Sequence, residues 1–187
     1  KVIDFLNESA ASEWFNKSRI QPSPSMFWIN PEDKMCPVEW GTFVHQTLSE
    51  VQHASDFDRA MMPHLDAGVI DQATADMLRE QFQQMAHHPL ISKAFSDEAK
   101  VKNECEILRA DGHIIRPDRY AELPDRIYLL DYKTGKHDKE HHQQLHHYRE
   151  VLKKIVKKPI EAYLVYLNDT VEVVPVSVNS QQLSINF

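Results

Sequence analysis

The feature that most limits what this chain can fold into is a single change of hydrophobic period near Lys100. Before it, apolar residues return at helical spacing. Val38, Trp40, Phe43, Val44, Thr47, Leu48 and Val51 mark one amphipathic helix over residues 38–52. Residues 56–64 and 71–87 read as two more helices. The second packs through Ala73, Met77, Leu78, Phe82, Met85 and Ala86, with Pro89 beyond its end. After Lys100 the pattern becomes strand-like over residues 101–109, 113–120 and 126–132. Asp111-Gly112 and Leu123-Pro124-Asp125 separate these stretches as turns, which predicts an antiparallel meander. A helix over residues 139–156 follows, then strands over 160–167 and 171–178 joined at Asn168-Asp169. Helices, three strands, a helix and two strands imply an α/β fold. Its mixed central sheet is flanked by helices, with a helical region at the N-terminal side.

A chain of 187 residues with 42% hydrophobic composition supports one sizeable core. Residues 11–18 are helical in pattern, and Gln21-Pro22-Ser23-Pro24-Ser25 has turn or linker chemistry. Residues 1–40 are therefore read as an arm or connector and residues 41–187 as the domain. No apolar run is long enough to span a bilayer, and Lys1-Val2-Ile3-Asp4 does not open a signal peptide, so a cytoplasmic protein without a membrane partner is expected. The opening without Met suggests a piece cut from a longer chain. Cys36 and Cys105 are too few for a disulfide framework or a four-thiolate cluster. A net charge of −7 argues against a general nucleic-acid coat. Locally the balance inverts: residues 133–158 carry eight Lys or Arg against three Asp or Glu, a basic stretch that could line a groove.

Two acids stand late in predicted apolar strands, Asp118 in Ile114-Ile115-Arg116-Pro117-Asp118 and Asp131 in Ile127-Tyr128-Leu129-Leu130-Asp131. An acid in such a place is costly unless solvated, hydrogen-bonded or metal-bound. Two on neighbouring strands could share a cation, and carboxylates are the ligands that Mg2+ and Mn2+ prefer. Lys133 follows Asp131 by two, so both point to one face of the sheet. A lysine there can orient or deprotonate an attacking water and neutralise charge on a phosphate, while a metal activates that water. The combination suits phosphodiester hydrolysis.

These residues resemble the RecB-like branch of the restriction-endonuclease-like, or PD-(D/E)XK, nucleases. Gly41-Thr42-Phe43-Val44-His45 is similar to the branch's helix motif, and Asn103-Glu104 to its first-strand acid. Pro117-Asp118-Arg119 is similar to its first aspartate motif. Asp131-Tyr132-Lys133-Thr134-Gly135-Lys136 resembles its Asp-x-Lys-Thr-Gly signature, and Gln144-Leu145-His146-His147-Tyr148 its final Gln-x-x-x-Tyr motif. The motifs stand in family order across residues 41–148.

The resemblance implies a restriction-endonuclease-like core and a nuclease that hydrolyses DNA with one or two Mg2+ or Mn2+ ions, most simply as an exonuclease. It implies His45, Asp118, Asp131 and the Tyr132 carbonyl as metal ligands, and Lys133 as the catalytic lysine beside Asp131, Asp118 and Glu104. Gln144, Tyr148, Lys136 and Arg119 become supporting or substrate-binding groups. Glu106 lies on the same predicted strand face as Glu104, which leaves the choice between them open. Many members of the branch are joined to helicases of the UvrD or Rep type, or work in helicase–nuclease complexes of the AddAB or RecBCD type. That implies a helicase motor in the same polypeptide, a possible partner subunit, and a role in repair or recombination. The four-cysteine iron–sulfur cluster of some relatives is not expected.

Each residue also has a plainer reading. His45 alone would be a core-edge histidine, and Asp118 and Asp131 strand-end turn formers. The histidines at 137, 141, 142, 146 and 147 could bind zinc, but no cysteine accompanies them. Lys153 to Lys158 suit the end of a helix as well as a phosphate. Trp14, Trp28 and Trp40 are more simply core than base-stacking groups. The competing function is a catalytically inactive relative kept for DNA binding or interaction, which loss of Asp118, Asp131 or Lys133 would have favoured.

Overall fold

The structure, a computed structural model, describes residues 35–108 and 114–176. All of them fall within the unit Lys34–Phe187. The expected helix over 11–18, the linker at 21–25, Trp14, Trp28 and the Asp111-Gly112 turn lie outside the described residues.

Three helices come first, α1 (Pro37–Ser49), α2 (Phe57–Asp66) and α3 (Gln72–Ala86). Pro37 takes the first helical position of α1, where its missing N–H costs nothing, and Glu39 reaches back to accept the Cys36 N–H at 2.9 Å. Residues 37–40 thus belong to this helix and not to an arm. Asp71 caps α3 by accepting from the Thr74 N–H at 2.8 Å. Then follow β1 (Lys100–Asn103), β2 (Ile107–Leu108), β3 (Ile114–Ile115), β4 (Arg119–Glu122) and β5 (Ile127–Lys133). Helix α4 (Lys139–Leu152), capped by Asp138, leads to β6 (Ile160–Leu167) and β7 (Val171–Pro175).

The main sheet has the order β1-β4-β5-β6-β7, and β2 and β3 form a separate two-stranded ribbon. Pairing is antiparallel except between β5 and β6, which run parallel with α4 as their crossover. The expected mixed sheet with flanking helices is therefore present. Two expected strands are each broken in two. The stretch 101–109 stops at Asn103 because Glu104 turns into the left-handed region at φ 47°. The stretch 113–120 is interrupted at Pro117, which has no N–H to give a ladder. Helix α4 also ends at Leu152, four residues short of the expected end.

Strands β5 and β6 are covered on both faces, and side chains alternate between two cores. Tyr128, Leu130 and Tyr132 join Phe43, Val44, Leu48, Phe82 and Met85 under α1–α3. Ile127 and Leu129 join Leu145, Leu152, Leu164 and Tyr166 under α4. Asp131 and Lys133 continue the second row. No helix among the described residues is long and apolar enough to cross a membrane.

Leu145 is fully buried and pins α4 to the sheet. Leu145→Ala is expected to cost about 2–5 kcal/mol, read as a lowered urea midpoint at unchanged m-value.

Candidate active site

A cleft of about 680 Å3 opens at the end of β5, lined by α1, the acids at the strand ends and α4. From α1 it takes Gly41, Thr42, His45, Gln46 and Ser49. From the strand ends come Glu104, Arg116, Asp118, Asp131 and Lys133, and from α4 Gln144 and Tyr148. The sequence motifs therefore converge on one surface.

The register explains how the two aspartates meet. Arg119 pairs with Leu130 in the antiparallel β4/β5 ladder, so one step further places Asp118 beside Asp131. Asp118 stands just before β4, and its Oδ2 accepts the Tyr132 N–H at 2.7 Å. Its Oδ1 lies 3.4 Å from His45 Nδ1. This contact, more than burial opposes it, raises the His45 pKa, so the ring binds its proton more tightly than a free histidine. His45, Glu104 and Asp118 each offer a ligand atom within 4.8 Å of the others. Among the described residues this is the one group of three or more such side chains that close.

Glu104 reaches the group through its left-handed turn, which also lets its N–H donate to the Asp118 carbonyl at 3.0 Å. A non-glycine residue in that region is strained by roughly 1–2 kcal/mol. Glu104 is half-buried at the cleft, 3.4 Å from the Arg116 guanidinium, whereas Glu106 is exposed and off it. Geometry thus separates two acids that strand alternation left equivalent. Arg116 also lines the cleft, although it stands in none of the motif positions.

Asp131 lines the same cleft beside the donor group. It is 2% exposed, and burial, reinforced by the Asp118 charge, pushes its pKa up to about 6. Lys133 opposes that shift from 2.8 Å. Oδ2 of this buried carboxylate thus faces the Lys133 ammonium as an ion pair. Gln144 holds Lys133 from the other side, Oε1 to Nζ at 3.4 Å, and donates to the Tyr148 hydroxyl at 2.9 Å. The four-residue spacing of Gln144 and Tyr148 puts both on one face of α4.

Two expected site residues, Lys136 and Arg119, lie off the cleft. Lys136 is exposed on the loop before α4 and does not line the cleft. Tyr132 buries its side chain under α1–α3, with its ring 6.3 Å from His45, and touches the site through its N–H. Arg119 is fully buried over the Phe95 ring and bonded to backbone carbonyls, so it has no access to substrate. In the histidine run, His137 stacks on Tyr166 at 3.8 Å and pairs with Glu172, and His141 bonds the Tyr166 hydroxyl at 3.1 Å. Trp40 packs on the core beside Phe43. Gly41 has a packing role that its place in the motif does not reveal. A Cβ there would stand 2.9 Å from Thr134 Oγ1, so glycine lets α1 approach the loop after Lys133.

The donor set suits a hard divalent cation: two carboxylates and an imidazole together, with a third carboxylate, Asp131, on the same cleft. A mixed sheet with Asp-x-Lys at the end of its central strand and a metal-type donor group beside it defines a metal-dependent nuclease class. A family model for the PD-(D/E)XK nuclease superfamily matches residues 17–184, and the chain belongs to that superfamily. Its nucleases use divalent metals. No curated protein matches the chain. Among solved structures it is similar to the crystal structure of SSO0001, at 16% identity and TM-score 0.32, over 72% of this chain. The chain spans 65% of that protein's length.

The pKa of Asp131 fixes the sign of a stability effect. Between about pH 4 and pH 6 the folded chain keeps a proton that the unfolded chain has released, so stability falls as pH rises through that window. Above it the buried charge is a constant cost. Asp131→Asn is expected to raise the Tm of the metal-free protein at pH 8, by about 1–3 kcal/mol of stability, and to change little at pH 4. Thermal melts in a chelating buffer at the two pH values check this.

Proposed function

We propose that this chain is a divalent-metal-dependent deoxyribonuclease, the nuclease part of a helicase–nuclease acting in DNA repair or recombination. The observation that carries the reading is the His45, Glu104 and Asp118 donor group opening onto the cleft that also holds Asp131 and Lys133. His45, Glu104 and Asp118 would hold the cation, with Asp131 and the Tyr132 carbonyl completing its shell. When bound, that cation supplies Lewis acidity to the phosphate and lowers the pKa of a ligated water.

The protein's own groups do the rest. Lys133 Nζ, steadied between Asp131 and Gln144, orients the attacking water and meets charge that develops on the phosphate. Tyr148 keeps Gln144 turned toward Lys133. The basic excess over residues 133–158 gives the DNA backbone a local counter-charge on a chain that is acidic overall. The link to a helicase motor rests on the motif resemblance to the RecB-like branch. An exonuclease working beside a motor in the cytoplasm fits that setting.

Linear single- and double-stranded DNA, incubated with the chain and Mn2+, should be cleaved. Asp131→Ala and Lys133→Ala should each lower the rate at least about 100-fold. Cleavage unchanged in both variants would sink the assignment. A second measurement follows from the proton on His45, which a metal must displace. Mn2+ affinity by titration calorimetry should weaken steadily as pH is lowered from 8 to 6.

A further inference from the structure

The three donors come from three different elements: His45 from α1, Glu104 from the end of β1 and Asp118 from the start of β4. A metal site tolerates misplacement of only about 0.2 Å in each ligand distance. Something must hold a helix in register with two strand ends to that tolerance. Hydrophobic packing alone is non-directional.

The residue next to each acid provides a directional tie. Asn103 precedes Glu104, Arg119 follows Asp118, and the two are cross-strand partners in the β1/β4 ladder. Both side chains point away from the cleft to the C-terminal end of α1, where helix carbonyls lack partners within the helix. The Asn103 amide donates to the carbonyls of Ser49 and Val51, each at 2.8 Å. The Arg119 guanidinium donates to Val51 at 2.7 Å and Gln52 at 2.5 Å, and to Ala94 at 2.9 Å. It also donates to Asn103 Oδ1 at 3.3 Å, which joins the pair into one unit. Ser49 lies one helical turn after His45.

We propose that Asn103 and Arg119 form a clamp of positioning residues that fixes the helix bearing His45 against the strand ends bearing Glu104 and Asp118, and so sets the geometry of the metal donors. Each tie runs through a residue adjacent in sequence to a donor, so a shift of α1 is transmitted directly to the His45–Asp118 separation. The planar fork of Arg119 suits this task because its N–H groups have fixed directions and serve several carbonyls at once. Its hydrogen-bond acceptors at the helix end are backbone carbonyls and the Asn103 amide oxygen, with the Phe95 ring and Tyr132 beside it, which marks it as a geometric tie more than an ion pair. The inference rests on the reading that His45, Glu104 and Asp118 hold a divalent cation.

The test is Mn2+ affinity of the full 187-residue chain by titration calorimetry, with the electron paramagnetic resonance signal of bound Mn2+ as a second readout. Asn103→Ala and Arg119→Lys are compared with Leu152→Ala, a buried change in the core under α4 and away from the clamp. The clamp variants should bind Mn2+ about 10–100-fold more weakly and broaden the resonance signal. Leu152→Ala should lower the Tm while leaving affinity and signal at the wild-type values. Should Arg119→Lys fail to fold, Asn103→Ala, at a half-buried position, decides alone. Wild-type affinity in Asn103→Ala overturns the clamp, as does an equal loss in Leu152→Ala, which would trace the effect to stability in general. Failure of the wild-type chain to bind Mn2+ overturns the metal reading and the clamp together.

Discussion

The cleft depends first on the alternation of side chains along β5. Even-numbered residues from Tyr128 to Tyr132 enter the core under α1–α3, and Ile127 and Leu129 enter the core under α4. Because both faces are buried, the strand cannot slip by one residue without exchanging the two sets. That constraint delivers Asp131 and Lys133 to the α4 side, where Gln144 and Tyr148 wait, and turns Tyr132 toward His45. The apolar residues of β5 thus do the placing, and the polar ones at its end do the chemistry.

Several features of the site are unfavourable for a folded chain by itself. Asp131 is a carboxylate taken almost wholly out of water. It sits against the charge of Asp118. Glu104 holds a left-handed backbone that an ordinary strand residue avoids. Each tendency would be relieved by extending β1 or replacing an acid with an amide, and each is what a cation would stabilise. Strain of this kind gathers where a protein must bind something the chain does not contain. Around it the framework is conventional, with an apolar core on each side of the sheet.

Much of this was legible from residue pattern. The helical period before Lys100 and the alternation after it located all three helices and the central strands, because long periodic segments carry a strong burial signal. The Asp131 and Lys133 pairing on one face follows from strand alternation alone. What misled was continuity. Residues 101–109 alternate well enough to read as one strand, and only the turn at Glu104 divides them. Pro117 was a visible signal for the second break, since it cannot complete a ladder. Arg119 stands in a motif next to Asp118, where the pattern reads as a supporting or substrate-binding group. Nothing local distinguishes an arginine aimed at a phosphate from one aimed at the end of a helix.

Local sequence, then, determined which elements form, which face of each is apolar, and which residue types stand at the end of the central strand. Those properties are set by side chains a few positions apart, whose spacing is fixed by helix and strand geometry. The tertiary structure decided the rest. It chose Glu104 over Glu106, brought Arg116 to the cleft, turned Arg119 inward and set Asp131 on the cleft beside His45, Glu104 and Asp118. These outcomes depend on which strand ends lie next to which helix, and so on contacts between residues far apart along the chain. The His45 to Asp118 approach spans 73 positions, and it exists only because two strands and a helix are tied together around it.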